Sequence, residues 1–333
     1  MVLLSDKSNK FCTTLALALS SSIIRTYGLT TPQSSPIVPR STGFTEDWWC
    51  DSQEEYGWLG FSYSVDSCPS EVEMVREFSW MKEKKGARYV RLYGGCDSDS
   101  FNNDVIEAAA KVGVGVFSLI WFGFDGDDKW RGRKQRLMES IKKNPKAPYV
   151  IRAVTCGSEP LYDGVLPVNE LVKQIEDLKK QLNPLGISVT LSEMPAGYKK
   201  FNDTPEIFSA VDFVSLHSFP FFEGNATTAD QSLSTLERDI GYGKFHGGGK
   251  RVIITQTGWP SNSDTWKPNS PRAVVSVEQS EDYFDLLDSQ CENFRTEQIA
   301  WFSHIYNETS LAGWGIVDQN GTEKFEFRPR SFC

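Results

Sequence analysis

Three short stretches of this sequence set a chemically capable side chain beside a turn. Cys156-Gly157-Ser158-Glu159-Pro160 places a carboxylate between a glycine that permits a sharp turn and a proline that keeps its predecessor extended. Ser192-Glu193-Met194-Pro195 places a second carboxylate before a proline. Arg251 to Ser261 runs from an apolar strand into a polar residue and a tight aromatic turn, and that polar residue is Gln256. Two carboxylates facing each other across a bound sugar can cleave a glycosidic bond, one giving a proton and the other attacking or activating water. A carboxamide in either place is neutral at pH 7 and a poor nucleophile. His217-Ser218-Phe219-Pro220-Phe221-Phe222 adds rings that can stack on a sugar or fill a core.

These residues share a site only if the elements before them converge. Apolar runs predict strands over 58–63, 87–93, 115–122, 149–155, 188–191, 213–216, 252–255 and 298–302. Helical spacing falls between them, over 71–85, 103–112, 129–143, 168–181, 233–242 and 278–289. The first helix carries Val72, Val75, Phe78 and Met81 at three- and four-residue intervals, and Gly86 stops it. Eight strands alternating with helices predict an α/β fold, a parallel (β/α)8 or TIM barrel, in one domain over 46–333. Its chemistry would sit where the strands end, which is where Glu159, Glu193 and Gln256 fall. No Gly-x-Gly-x-x-Gly follows the first strand, which disfavours a dinucleotide fold. Arg91, between apolar strand residues, is expected to need a carboxylate partner inside the barrel.

Composition narrows the partners. The net charge is −9, and no basic run of five occurs, so no nucleic-acid partner is expected. Phe, Tyr and Trp number 21, 11 and 10, enough for a large core and for a neutral ligand such as carbohydrate. No apolar run is long enough to span a bilayer. Lys7 and Lys10 precede an apolar stretch over 11–19 that holds an Ala-x-Ala pattern, so a secretory signal is expected over 1–24. A Ser/Thr/Pro-rich linker follows over 25–45. Of seven cysteines, signal cleavage would remove Cys12 and leave six, for up to three disulfides. Four Asn-x-Thr sequons, at Asn202, Asn225, Asn307 and Asn320, fit secretion. Three scattered histidines and no Cys-x-x-Cys pair give no reason to expect a metal or cofactor, and a monomer is expected.

Five motifs in barrel order carry a resemblance: Gly60-Phe61-Ser62-Tyr63, Val90-Arg91-Leu92-Tyr93-Gly94, Gly157-Ser158-Glu159, Phe219-Pro220-Phe221 and Thr257-Gly258-Trp259-Pro260-Ser261. Gly313-Trp314-Gly315 and 321–325 add to them. From about Gly60 to Phe327 the chain resembles glycoside hydrolase family 17, of the fungal β-1,3-glucanase and glucanosyltransferase type. The resemblance implies a secreted cell-wall protein that binds β-1,3-glucan in an open groove and acts on it, endo-type, with retention. Carboxylates at the ends of strands four and seven would stand roughly 5–5.5 Å apart. Glu159 matches the acid/base, and Gln256 stands where the family has its nucleophilic Glu. Tyr63, Tyr93, Ser158, Phe221 and Trp259 match substrate-binding positions. Ser158 replaces an Asn common in related barrels, and Asp163 stands where close relatives have Arg. Gln256 admits four explanations: a glucan-binding relative without hydrolysis, a substitution introduced to trap ligand, a nucleophile supplied instead by Glu193, or a sub-branch with altered chemistry.

Overall fold

The computed structural model describes residues 54–124 and 128–330. The expected signal, the linker, and Cys12, Cys50 and Cys333 lie outside those residues. Eight strands form: β1 (Gly57–Ser64), β2 (Tyr89–Tyr93), β3 (Gly115–Ile120), β4 (Ile151–Ser158), β5 (Ser188–Glu193), β6 (Val214–His217), β7 (Val252–Thr257) and β8 (Ile299–Ser303). Each is parallel to its sequence neighbour, and β1 closes on β8, so the sheet is the (β/α)8 barrel that the alternation predicts. The last rungs of β4 to β7 are the polar residues Ser158, Glu193, His217 and Thr257. The sequence reading ends these strands one to three residues early, yet backbone pairing continues to the barrel mouth, where polar side chains find partners.

The helix Glu71–Lys85 shows how local sequence sets an element. Ser70 accepts from the backbone of Glu73, and the Glu73 carboxylate accepts from the backbone of Ser70 at 2.8 Å, closing a capping box. Gly86, at φ 75°, ends the helix in the left-handed conformation. Met74, Phe78 and Met81 form its buried stripe. Val72 is 79% exposed, contrary to its expected place on that stripe, because two residues before Met74 is the far side of a 3.6-residue turn. Short helices at Ala147–Val150, Pro195–Lys199, Pro205–Ala210 and Cys291–Glu297 are too brief to leave a periodic signal.

The barrel lumen is layered. At its base Leu59, Tyr89, Phe117, Phe213, Ile253 and Phe302 form an apolar cluster, with Phe117 edge-on to Phe302 at 5.0 Å. Below that, Glu55 is enclosed and accepts from Arg152 at 2.8 Å, from Arg251 at 2.6 Å and from the Tyr89 hydroxyl. Above it, Ser192, Ser215 and Thr255 link hydroxyl to hydroxyl at 2.6 and 2.7 Å. Cys68 and Cys96 form a disulfide that ties the loop after β1 to the loop after β2, and Cys291 is also disulfide-bonded. Cys156 is a buried free thiol, so the six cysteines expected after signal cleavage do not all pair.

Candidate functional site

Two bulges aim the strand ends. Along β7, Ile253 and Thr255 contact the lumen, so strict alternation would turn Gln256 outward. The register slips instead: Leu216 pairs with Ile254, and the next residue, His217, pairs with Gln256. The extra residue brings Gln256 to the barrel mouth. Along β4 the register slips between Thr155 and Ser158. Gly157 sits there at φ 96°, where an added Cβ would meet the Phe122 ring at 2.6 Å. Glu159 follows at φ 55°, not in the extended conformation that Pro160 predicts but in a left-handed one rare for a residue with a side chain, and its N–H donates to Ser192 O at 2.8 Å.

The Glu159 carboxylate meets His217 Nδ1 at 2.6 Å. The other ring nitrogen lies 3.3 Å from Arg91 Nη2. Arg91 can only donate, so His217 Nε2 accepts and Nδ1–H donates to Glu159. Burial holds the His217 pKa below the ordinary value despite that carboxylate, which fits a neutral ring. Arg91 is enclosed, and burial lowers its pKa to about 10. Its other partners are the hydroxyls of Ser158 at 3.3 Å and Ser62 at 3.5 Å. The expected carboxylate partner is therefore not in contact: the charge of Glu159 reaches Arg91 through the imidazole. Gln256 is 3% exposed, and its Nε2 is enclosed without a hydrogen-bond partner.

Around these groups lies a groove of about 550 Å³. Tyr93, Trp121, Phe124, Phe219, Phe222 and Trp266 line it, together with Ser158, Glu159 and Gln256. Trp266 stacks over His304, with ring centroids 6.4 Å apart. Trp121 is backed by the Arg133 guanidinium at 5.0 Å, itself held by Asp97 through two 2.9 Å bonds. Asp66, Glu159 and Asp163 set three carboxylates in the lining against one cation, Lys267. Burial, then the charge of Glu159, raises the Asp163 pKa to about 6.

Several expected site residues sit elsewhere. Glu193 is fully buried, and its carboxylate accepts from the backbone of Leu161 (2.7 Å), Tyr162 (3.1 Å) and Met194 (2.9 Å). Burial and then Glu159 raise its pKa to about 8. It clamps the loop after β4 and has no face toward a ligand, so it cannot be the missing nucleophile. Tyr63 is buried and donates to Glu77 at 2.6 Å, outside the groove lining. Trp259 and Phe221 are buried against each other at 5.4 Å, with Trp259 Nε1 bonded to Val274 O at 2.9 Å. They form the wall behind the groove, because the turns that carry them fold inward. Sequence reading placed His217 only in a ring-bearing stretch, not beside Glu159, and assigned no role to His304, Trp121 or Trp266. The strand-end rule reaches His217 alone: Trp266 lies on a loop, His304 past an end that hydropathy places short, and Trp121 inside the predicted strand 115–122, which pairs only to Ile120. Among the described residues no three His, Cys, Asp or Glu side chains converge as a metal site needs.

A closed parallel barrel with a carboxylate and a carboxamide at the ends of β4 and β7, in an aromatic groove, is the architecture of a carbohydrate-active barrel. The BtgE/BtgC glycoside hydrolase domain matches residues 60–324, and the chain belongs to that family. A glucan 1,3-beta-glucosidase of Arthroderma benhamiae is 27% identical over 63% of this chain and 68% of its own length. The cell surface mannoprotein MP65 of Candida albicans is 24% identical over 67% of this chain and 59% of its own. A probable glucan endo-1,3-beta-glucosidase of Aspergillus niger is 24% identical over 74% of this chain and 57% of its own. The chain thus spans little more than half the length of the last two. The fold is also that of a family 17 β-1,3-glucanosyltransferase from Rhizomucor miehei, with TM-score 0.66, 21% identity and coverage of 84% of this chain and 99% of that one.

Proposed function

We propose that this barrel binds β-1,3-glucan and descends from retaining, endo-acting hydrolases and transglycosylases, with Glu159 as acid/base and Gln256 in the place of the nucleophile. The observation that carries the reading is the pair of bulges that turn Glu159 and Gln256 onto one groove. Relatives named for glucan 1,3-beta-glucosidase activity support the substrate. So does the same fold in a β-1,3-glucanosyltransferase mutant in complex with laminaritriose. Tyr93 and Ser158 are the expected ligand contacts that also line the groove, and Trp121 and Trp266 join them. A relative named as a cell surface mannoprotein supports an extracellular, cell-wall location; the chain is proposed to act as a monomer. No helix among the described residues is long and apolar enough to cross a membrane.

Glu159 protonates the glycosidic oxygen, but the Gln256 carboxamide cannot attack the anomeric carbon of a plain glucan. Loss of that anion costs on the order of 3–5 kcal/mol of transition-state stabilisation, roughly two to four decades in rate. The test pairs calorimetric binding of laminaritriose with laminarin hydrolysis by the wild type and by Gln256→Glu. Binding by both, slow hydrolysis by the first and a gain of roughly a hundredfold or more by the second are expected. Absence of binding would overturn the substrate, and ordinary turnover by the wild type would overturn the place given to Gln256. Gln256 also favours a second reading, a glucan-binding relative without turnover. That reading requires laminarin turnover by the wild type no faster than background, with Glu159→Gln leaving it there.

A further inference from the structure

The carboxamide that replaces the nucleophile has unspent hydrogen-bonding capacity. The Gln256 side chain makes no hydrogen bond to the described protein, and its Nε2 is enclosed, which leaves Oε1 as the end open to the groove. Oε1 keeps its accepting capacity free, so a ligand N–H that enters the groove gains a hydrogen bond there. The acid side, by contrast, is fully supported: Glu159 is held by His217, and His217 by Arg91. An acid poised without an anion opposite suits a substrate that carries its own nucleophile.

We infer that the site takes a β-linked 2-acetamido sugar at the position of cleavage, and that the acetamido carbonyl oxygen, oriented by Gln256, performs the attack. The inference rests on the reading of Glu159 as acid/base. Gln256 Oε1 accepts the acetamido N–H, which turns the acetamido carbonyl oxygen toward C1. Glu159 gives its proton to the glycosidic oxygen as the C1–O bond breaks and the leaving sugar departs. The acetamido oxygen bonds to C1, forming a cyclic oxazolinium ion. Water then attacks C1 and its proton goes to the Glu159 carboxylate. The bond from C1 to the acetamido oxygen breaks, restoring the acetamide, and one water is consumed per bond with the anomeric configuration retained.

The electrostatics fit a cationic intermediate. Asp66, Glu159 and Asp163 outnumber Lys267 in the lining, so the groove favours positive charge despite Arg91 behind it. A neutral carboxamide suits this task, because Oε1 accepts the acetamido N–H while the acetamido oxygen stays free to attack.

The test uses para-nitrophenyl glycosides of one β-1,3-linked disaccharide that differ only at C2 of the sugar bearing the aryl group: hydroxyl, acetamido, or the mono-, di- and trifluoroacetamido series. The acetamido compound should release nitrophenol at least about tenfold faster than the hydroxyl compound. Rates should fall steeply with each fluorine, because fluorine drains the carbonyl oxygen that attacks. Gln256→Ala should lose most of the acetamido rate, and a melting curve of the variant separates this from misfolding. Equal rates for the two parent compounds, or a flat fluorine series, would overturn the inference. Laminaritriose binding is measured on the same protein. If it binds and the acetamido compound is not cleaved, only this inference falls; if neither binds nor reacts, the proposed function falls with it.

Discussion

At the scale of single residues, the site is a relay of neutral and charged groups. Glu159 has one oxygen against His217 Nδ1–H and no other described side-chain partner, so the imidazole fixes its aim. Arg91, through His217 Nε2, fixes the tautomer. His217 is a positioning residue under this reading. In the Gln256→Glu background, His217→Ala should lower kcat on laminarin by roughly ten- to a hundredfold and displace the pH profile, with KM little changed. His217→Asn, which keeps a side-chain N–H, should recover part of the loss. A fall in kcat with an unmoved pH profile and no recovery by Asn would count against the relay. Gln256 needs no strain to explain it: a side chain of the same size as Glu fills the same bulge.

At the scale of elements, bulges decide which side chains meet. Gly157 is the residue on which β4 depends, because its φ of 96° is open to glycine and its missing Cβ makes room for Phe122. Gly157→Ala should cost about 2–4 kcal/mol from conformation and overpacking together, seen as a lower Tm. Laminaritriose binding should weaken as well, since Ser158 and Glu159 follow directly. A variant with unchanged Tm and unchanged binding would mean that β4 tolerates a different bulge. The rim after β1 and β2 has its own staple. Asp66 accepts from Gly95 N at 3.0 Å, beside the Cys68–Cys96 disulfide, and Gly94 leaves no room for a Cβ against the Asp66 carboxylate.

At the scale of the whole molecule, charge is placed at both ends of one barrel. Glu55 closes the base with Arg152 and Arg251, and although burial alone would raise its pKa, the two guanidiniums hold it below the ordinary value. A depressed carboxylate contributes stability above the unfolded value of about 4.3, and loses it as pH falls through the folded pKa. Glu55→Gln should therefore lower stability near neutral pH by about 3–5 kcal/mol, by leaving buried arginines without an anion, and flatten the acid limb. Denaturant titrations of both proteins from pH 3 to 7 measure this, and parallel pH curves would sink the assignment. The sequence by itself determined the barrel, since alternating apolar runs and helical stripes have few other ways to bury both faces. It also marked Glu159 and Gln256, because glycine, proline and polar residues at strand ends are local signals. Only the tertiary structure decided the facing of those residues, since a one-residue slip in pairing with a distant strand reverses a side chain and leaves no mark in composition. The same holds for Glu193, Tyr63, Trp259 and Phe221, whose exposure depends on loops folded over them, and for His217, whose role exists only beside Glu159 and Arg91.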